Sequence, residues 1–340
     1  MSARESIIPV FVPHLGCPND CVFCNQRRIS GEQLPAGPDT VKNAIESAAA
    51  FLPKGEKRQL AFYGGSFTAI PVCQQEALLA VAKEYMDRGE IHSIRLSTRP
   101  DAIDDAVLQR LRFYGVETIE LGAQSLDEAV LILSGRGHTA EDVVKASELI
   151  KARGFKLILQ MMTGLPGDSP EKDIDTAKKM IALAPDGVRI YPTVIVRDTA
   201  LYDMWQAGEY AEHSVEDAVQ VCARLLPMFE AAGIPVIRLG LNPTDDLSGG
   251  DAAAGAYHPA LGEMVKSRIM LHKAEALMAG IAPGSNVIIE VGKGKTSQMT
   301  GQKRCNVTAL KESFALKELK IKEKPELNGE IRIISVEKQG

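Results

Sequence analysis

The chain has 340 residues, 45% of them hydrophobic, and a formal net charge of −5. A chain of this length and composition can bury one large core with a small appendage, which excludes a disordered protein. No apolar run approaches the roughly 20 residues that span a bilayer, and the net negative charge offers no general attraction for nucleic acid. Because residues 1–6 lack the pattern of a signal peptide, we expect a cytoplasmic protein with no membrane partner.

Short β-rich apolar runs alternate with helical patterns up to about residue 193. The runs predict six strands, at Ile7–Val12, Gln59–Tyr63, Ser93–Ser97, Thr118–Leu121, Lys156–Met161 and Gly187–Thr193. The segments between them predict helices at Asp39–Leu52, Pro71–Arg88, Asp104–Phe113, Ala140–Arg153 and Ser169–Ala182. We expect Asp39, Asp104 and Ser169 to cap helix N-termini, and Gly115 and Gly154 to follow helix ends in the left-handed conformation. Strands joined by helical crossovers predict a parallel α/β sheet, closed as a barrel or wound as an open sheet.

The pattern changes after Pro192. Further helices are predicted at Asp198–Gly208, Ser214–Ala232 and Pro259–Ala279, and a further strand at Pro235–Leu239 extends the core. Alternating segments then predict a small antiparallel C-terminal module with strands at Asn286–Val291, Phe314–Lys322 and Glu330–Val336. We therefore expect a barrel-like region over residues 1–240, a helical extension over 241–282 and a β-rich module over 283–340.

Three cysteines, Cys17, Cys21 and Cys24, lie close together with the spacing C-x3-C-x2-C. A tetrahedral zinc ion or a closed iron–sulfur cube takes four protein ligands, so three thiolates suggest a cube with one iron open to another ligand. Two alternatives remain: half of a zinc site completed by His14 or a distant cysteine, or three unrelated core residues. The remaining cysteines are Cys73, Cys222 and Cys305. They form no second C-x-x-C motif, which weakens the zinc alternative.

The conspicuous loops follow the predicted strands. In parallel βα folds, functional loops lie at the carboxyl ends of the strands. After the first, second, third and fifth strands come the cysteine loop, Gly64-Gly65-Ser66, residues 98–101 and residues 164–168. We expect these loops to lie on one face of the sheet.

The cysteine motif, with the aromatic Phe23 before its last cysteine and the Gly64-Gly65 pair after the second strand, resembles the radical S-adenosylmethionine (SAM) superfamily. Further motifs resemble the radical-SAM domain of the Elongator catalytic subunit, and they span residues 96–101, 120–125, 134–139 and 191–202. The resemblance covers roughly residues 7–240. It implies an α/β fold, a partial (β/α)6 TIM-like radical-SAM barrel, here with a small C-terminal α+β extension.

The resemblance also implies cofactors and their ligands. Cys17, Cys21 and Cys24 would bind a [4Fe-4S] cluster whose open iron binds SAM, and Phe23 would lie near the adenine of SAM.

Five other residues are implied as SAM contacts. Gly64 and Gly65 would approach the methionine amino group through their backbone, which glycine permits at short distance. By similarity to the coproporphyrinogen-dehydrogenase branch of the superfamily, Ser97, Gln124 and Arg136 are candidates for the ribose and methionine ends. An arginine suits a carboxylate because its guanidinium donates two parallel hydrogen bonds.

The implied reaction is reductive cleavage of SAM to methionine and a 5′-deoxyadenosyl radical, which removes hydrogen from a substrate. The electron would come from a one-electron donor of the flavodoxin or ferredoxin type. Elongator-type enzymes act on the tRNA wobble uridine, but their cysteine spacing is longer, and the roughly 100 residues after the shared region do not provide their acetyltransferase domain. Nothing in the sequence singles out a porphyrin, the substrate that similarity to the coproporphyrinogen-dehydrogenase branch would suggest. RNA modification is one candidate function, and the alternative is an iron–sulfur or zinc protein that binds RNA or a partner without radical chemistry.

A basic segment over residues 292–304 is the best clue to a substrate. Its four cations are Lys293, Lys295, Lys303 and Arg304, among flexible glycines. Such a segment could hold the phosphates of RNA or a nucleotide, or could be an ordinary polar hairpin loop. Its Gly-Lys-Thr sequence is not a P-loop, because Ile289 occupies the position of the first glycine and we predict no helix after it.

Overall fold

The computed structural model describes residues 5–12, 17, 21–25, 36–51, 57–241, 250–327 and 331–337. The chain divides into two compact units, the first made of residues 1–214 and 228–257, the second of residues 215–227 and 258–340. Within the described ranges, no helix is both long enough and apolar enough to cross a membrane. The three-part domain organisation with boundaries at 240 and 282 stays a prediction.

A seven-stranded parallel sheet forms the centre of the first unit, in the order β1-β2-β3-β4-β5-β6-β8. The strands are β1 (Glu5–Val12), β2 (Lys57–Gly64), β3 (Ser93–Thr98), β4 (Val116–Gln124), β5 (Lys156–Thr163), β6 (Gly187–Pro192) and β8 (Val236–Leu239). All six predicted strands are present, and the additional strand predicted near residue 235 joins the sheet as the seventh. With β1 and β8 at its two ends, the sheet is a partial barrel, as expected.

Helices connect successive strands of this sheet, which is why neighbouring strands run parallel. They are α1 (Pro38–Phe51), α2 (Val72–Asp87), α3 (Asp105–Phe113), α4 (Glu128–Leu133), α5 (Ala140–Ala152), α6 (Pro170–Ala182), α7 (Ala200–Gln206) and α8 (Val215–Ala231), most of which belongs to the second unit. Two short strands, β7 (Val194–Val196) and β9 (Ala252–Gly255), pair antiparallel beside the sheet. The core lies along the central strands, and all but one of the residues of β4 are buried.

The helix ends follow the sequence signals with one exception. Asp104 and Ser169 each accept a hydrogen bond from the backbone amide three residues later, as N-caps do. Gly115 and Gly154 have φ of +80° and +72°, the left-handed conformation expected after a helix. The prediction that Asp39 is an N-cap is wrong, because α1 begins one residue earlier, at a proline whose fixed φ suits the first helical turn.

The second unit contains a three-stranded sheet with β10 (Asn286–Val291) between β11 (Glu318–Glu323) and β12 (Ile331–Glu337). Its helices are α9 (Leu261–Leu277), α10 (Thr296–Thr300) and α11 (Cys305–Ser313). The prediction of an antiparallel module is wrong for one pair, since β11 runs parallel to β10 and only β12 is antiparallel. The reason is the connection from β10 to β11, which contains α10 and α11 and is long enough for a crossover.

Two further predictions for this unit need correction. A short helix does follow the Gly-Lys-Thr sequence, because α10 begins at Thr296. The second strand, β11, begins at Glu318, four residues later than predicted from the apolar Phe314, because α11 extends to Ser313 and Ala315 then turns the chain with a φ of +47°. The basic segment is therefore partly helical and not a hairpin loop.

Candidate active site

The described part of the cysteine loop is anchored by backbone hydrogen bonds to two helices. The Cys24 amide donates to the Cys21 carbonyl over 2.9 Å, which closes a tight turn. Within this turn, the Val22 amide donates to the Ser134 carbonyl at the end of α4 (3.1 Å), and the Val22 carbonyl accepts from the Leu201 amide in α7 (2.7 Å). These bonds fix the positions of Cys21 and Cys24 relative to the sheet.

A cavity that is open to solvent at its mouth lies at the carboxyl ends of the central strands. It is lined by Cys17, Cys21, Phe23, Cys24, Gly64, Gly65, Ser97, Thr98, Arg99, Gly122, Gln124, Arg136 and Gln160. The lining includes every residue that the sequence predicted as a cluster ligand or SAM contact.

Four lining residues were not predicted as site residues: Thr98, Arg99, Gly122 and Gln160. The alternation of side chains along a strand could have identified Gly122, which lies two residues before Gln124. Gln160 carries no such signal, because its place in the cavity depends on the pairing of β5 with β4.

Gly64 occupies a position that only glycine fits. Its φ is +103°, and a Cβ atom there would lie 3.2 Å from three backbone atoms of Val12 in the neighbouring strand. Gly65 is held by a hydrogen bond of 2.7 Å from its amide to the Val12 carbonyl. The pair therefore forms a wall of bare backbone along the cavity, as close approach to a ligand requires.

Two buried polar atoms in the cavity have no hydrogen-bond partner among the described residues, and they are the hydroxyl of Ser97 and the side-chain carbonyl oxygen of Gln124. Buried polar groups are nearly always paired, so these two atoms indicate a polar ligand. Gln124 also has a φ of +64°, a strained conformation of the kind that collects at functional sites. A Cβ atom at Gly122 would lie 3.1 Å from the amide nitrogen of Gln124, so glycine leaves room for this side chain.

Arg136 reaches across the cavity floor to the cysteine loop. Its Nη1 donates to the Sγ of Cys21 over 3.2 Å, and its Nη2 donates to the Gly122 carbonyl over 2.5 Å. Arg99 fixes the backbone of Arg136, because the Nη2 of Arg99 donates to the Arg136 carbonyl (2.7 Å) while its guanidinium pairs with Asp101 through two bonds of 2.9 and 3.0 Å. Two buried arginines therefore supply positive charge beside the cysteine loop.

Ser66 follows the Gly64-Gly65 pair but belongs to a hydroxyl network and does not line the cavity. Its Oγ is 3.0 Å from the hydroxyl of Thr98 and accepts a hydrogen bond from the Arg99 amide. The Thr98 hydroxyl in turn lies 2.6 Å from that of Thr68. This network supports the end of β3 from behind the cavity.

The chemistry of the donor set fits an iron–sulfur cluster, although the three thiols are not gathered as ligands in this structure. Cys21 is buried and Cys24 is half-buried, whereas Cys17 is exposed to solvent. Crowding by neighbouring atoms still desolvates the Cys17 thiol enough to raise its pKa, and the charge of Cys21 adds to this shift. Among the described residues, no group of three or more histidines, cysteines, aspartates and glutamates could hold a metal ion as it stands. His14, the proposed fourth ligand of a zinc site, lies outside the described residues.

A buried carboxyl pair lies behind the loop that follows β5. Asp168 and Asp173 are hydrogen-bonded to each other, and burial together with the charge of Asp168 raises the pKa of Asp173 strongly. Asp173 therefore retains a proton at neutral pH. At the same edge of the sheet, burial and the neighbouring Arg136 lower the pKa of His138 to about 4, so its neutral ring pairs with the Ala123 carbonyl.

Several proteins are similar to this chain. It is 31% identical over 186 residues to the tRNA uridine(34) acetyltransferase of Methanocaldococcus infernus, an alignment that covers 49% of this chain and 35% of that protein. It is 36% identical over 152 residues to human Elongator complex protein 3, covering 43% of this chain and 28% of the human protein. The chain thus spans about a third of the length of these relatives.

Solved structures with similar folds include the archaeal Elp3 of Methanocaldococcus infernus with an N-terminal deletion. The TM-score is 0.64 at 23% identity, and the match covers 81% of this chain and 64% of that one. Coproporphyrinogen III oxidase (HemN) of Escherichia coli matches with a TM-score of 0.50 at 19% identity, covering 68% of this chain and 53% of HemN. At these identities the comparison shows the fold alone.

Two family profiles match consecutive parts of the chain. The profile of the radical SAM superfamily matches residues 11–180, and that of the radical SAM C-terminal domain matches residues 185–270. The first match spans half of the chain and contains the whole cavity. This chain is therefore an enzyme that belongs to the radical SAM superfamily, whose members use a [4Fe-4S] cluster and SAM.

Proposed function

We propose that this enzyme cleaves SAM reductively and uses the resulting radical to modify an RNA substrate, with Cys17, Cys21 and Cys24 as the cluster ligands. The observation that carries the proposal is that one cavity is lined by all three cysteines and all six predicted SAM contacts. When bound, the cluster supplies the electron that cleaves SAM to methionine and a 5′-deoxyadenosyl radical. We expect that electron to come from a flavodoxin or ferredoxin in a reducing cytoplasm.

The chain's own residues bind and orient SAM in this proposal. The free oxygen atoms of Ser97 and Gln124 are the hydrogen-bonding groups that a bound ribose or methionine end would satisfy. Gly64 and Gly65 offer backbone groups at short distance. Arg136 donates a hydrogen bond to the Cys21 sulfur and so helps to position this cluster ligand.

Anaerobic purification followed by iron and sulfide analysis tests the proposal. We expect about four irons per chain, and release of 5′-deoxyadenosine on addition of dithionite and SAM. Cys21→Ser should abolish both. The matched control is Cys73→Ser, which changes an exposed cysteine in α2 outside the cavity. Stoichiometric zinc without SAM cleavage would refute the proposal and favour the alternative of a metal-binding protein without radical chemistry.

RNA is the proposed substrate class for two reasons. The relatives include tRNA uridine(34) acetyltransferases, although this chain spans only part of their length. In addition, Lys293, Lys303 and Arg304 are exposed in the second unit, and Lys303 and Arg304 both have positive φ, of +50° and +65°. Consecutive strained cations on a surface are a feature that phosphate binding would explain.

Binding of tRNA at two salt concentrations tests this part separately. Replacing Lys293, Lys295, Lys303 and Arg304 with alanine should lower affinity by at least tenfold and flatten its dependence on salt. A control with the same charge change replaces the exposed lysines of α11 and the following segment, Lys311, Lys317, Lys320 and Lys322. Equal affinity and equal salt dependence of the two variants would exclude the basic segment as the RNA site.

A further inference from the structure

A buried ion-pair triad lies on the same side of the parallel sheet as the cavity. Glu120 in β4 is completely buried, and it pairs with Arg95 in β3 over 2.8 Å and with Arg189 in β6 over 2.9 Å. Both arginine side chains are only 12% exposed. The three residues come from three different strands and form one network.

This triad is adjacent to the cavity. Side chains two residues apart on a strand share a face, and Arg95 and Glu120 precede the cavity residues Ser97 and Gly122 by two positions. Two residues advance a strand by about 7 Å. Gln160 joins the two features, because it lines the cavity and its Nε2 donates to Glu120 over 3.0 Å.

The triad carries excess positive charge. Two arginines surround one carboxylate, and a third arginine, Arg238 in β8, is the register partner of Arg189. The Nε of Arg238 donates to the Gly240 carbonyl over 3.1 Å. In the described part of the chain, Glu120 is the one carboxylate that pairs with any of these three arginines. Uncompensated charge in a sheltered site is costly unless a counter-ion binds there.

Two tyrosine hydroxyls lie beside Arg189 and accept hydrogen bonds from its guanidinium group. The hydroxyl of Tyr63 lies 3.1 Å from the Nη2 of Arg189, and that of Tyr191 lies 3.4 Å from its Nη1. Burial, reinforced by Glu120, raises the pKa of Tyr63 to about 12, and burial also raises the pKa of Tyr191. Both phenols are therefore protonated at neutral pH and add no negative charge beside the arginines.

We propose that Arg95, Arg189 and Arg238, which we name the arginine row, bind an anionic group of the substrate and hold the substrate against the SAM cavity. The bound group is an oxyanion, a phosphate or a carboxylate, because guanidinium groups donate parallel hydrogen bonds to either. The inference rests on the proposed function for the reaction that follows, but the binding step requires no SAM cleavage.

Binding of three probes to the anaerobically purified enzyme tests this site: inorganic phosphate, uridine 5′-monophosphate and succinate, each measured by calorimetry. We expect saturable binding of at least one probe, weakened at least tenfold in Arg238→Gln. This variant leaves the Glu120 triad intact, and a urea unfolding curve verifies that it folds. Arg153→Gln, which removes an exposed arginine paired with Asp105, is the charge-matched control and should bind within twofold of the unsubstituted protein.

The outcomes separate the two proposals. Binding of phosphate and the nucleotide without succinate identifies a phosphate-bearing substrate, and the reverse identifies a carboxylate. The absence of saturable binding, or equal affinity in Arg238→Gln and Arg153→Gln, would overturn the arginine row even if 5′-deoxyadenosine is released. Anion binding in an enzyme that releases no 5′-deoxyadenosine would instead overturn the proposed function and leave the arginine row standing.

Discussion

Gly64→Ala should destabilise the first unit more than the same change at a glycine that also has positive φ but has free space around it. Placing a Cβ atom on a residue with positive φ costs about 1–2 kcal/mol. At Gly64 the new atom also lies 3.2 Å from three backbone atoms of Val12, which cannot rotate away. Such crowding costs about 1–3 kcal/mol more. The expected loss in unfolding free energy is therefore about 2–5 kcal/mol.

Gly89→Ala is the matched control. Gly89 has a φ of +74°, and nothing lies within 4 Å of the position of its missing Cβ. This variant should lose only the conformational part, about 1–2 kcal/mol. The difference between the two variants isolates the contact with Val12.

Urea unfolding monitored by tryptophan fluorescence measures both losses. The chain has one tryptophan, Trp205, and it lies in the first unit with both glycines. A shift of the midpoint at constant slope gives the change in stability. Gly64→Ala should in addition weaken SAM binding, because Gly64 lines the cavity. Equal destabilisation by the two variants would show that the Val12 backbone does not crowd a Cβ atom at position 64.

Other predictions concern buried polar groups in the same unit. Because burial and Asp168 raise the pKa of Asp173 in the folded state, folding retains a proton that the unfolded chain loses above about pH 4, so stability falls as pH rises through neutrality. Asp173→Asn should remove this dependence. In urea unfolding at pH 5.5, 6.5 and 7.5, the unfolding free energy of the variant relative to that of the unsubstituted protein should increase with pH. A difference that stays constant with pH would contradict the shared proton. Ser97→Ala should leave stability unchanged, because the Ser97 hydroxyl has no partner in the part of the chain that the structure describes. It should weaken SAM binding by about fivefold in equilibrium dialysis, the equivalent of about 1 kcal/mol. Ser93→Ala, on the same face of β3, should leave SAM binding unchanged but cost about 1–3 kcal/mol of stability, since it deprives buried Gln59 of a hydrogen bond of 2.8 Å. Loss of SAM binding in both serine variants would indicate general damage to β3.

Much of the first unit could be predicted from the sequence because its signals are local. Apolar runs with helical segments between them predicted each strand to within a few residues, and caps such as Asp104 fixed helix ends through contacts three residues away. The cysteine spacing and the Gly64-Gly65 pair identified the superfamily. The rule that loops gather at the carboxyl ends of parallel strands then brought Gln124 and Arg136 to the same face.

The second unit was harder to predict because strand direction depends on the connection between strands. The apolar alternation indicated three strands, but alternation does not distinguish parallel from antiparallel pairing. The helices α10 and α11 between β10 and β11 make that pair parallel. Their sequences are short and rich in polar residues, so they resemble a loop.

The sequence by itself determined the strands of the parallel sheet, the superfamily and nine of the thirteen residues that line the cofactor cavity. Only the tertiary structure decided which side chains meet between strands. Arg136 contacts Cys21 across 115 positions, and Glu120 joins arginines from β3 and β6. Alternation along a strand tells which face a side chain occupies, but not which residue of a neighbouring strand stands beside it. That register is set by packing of the whole sheet, and it is what creates the arginine row.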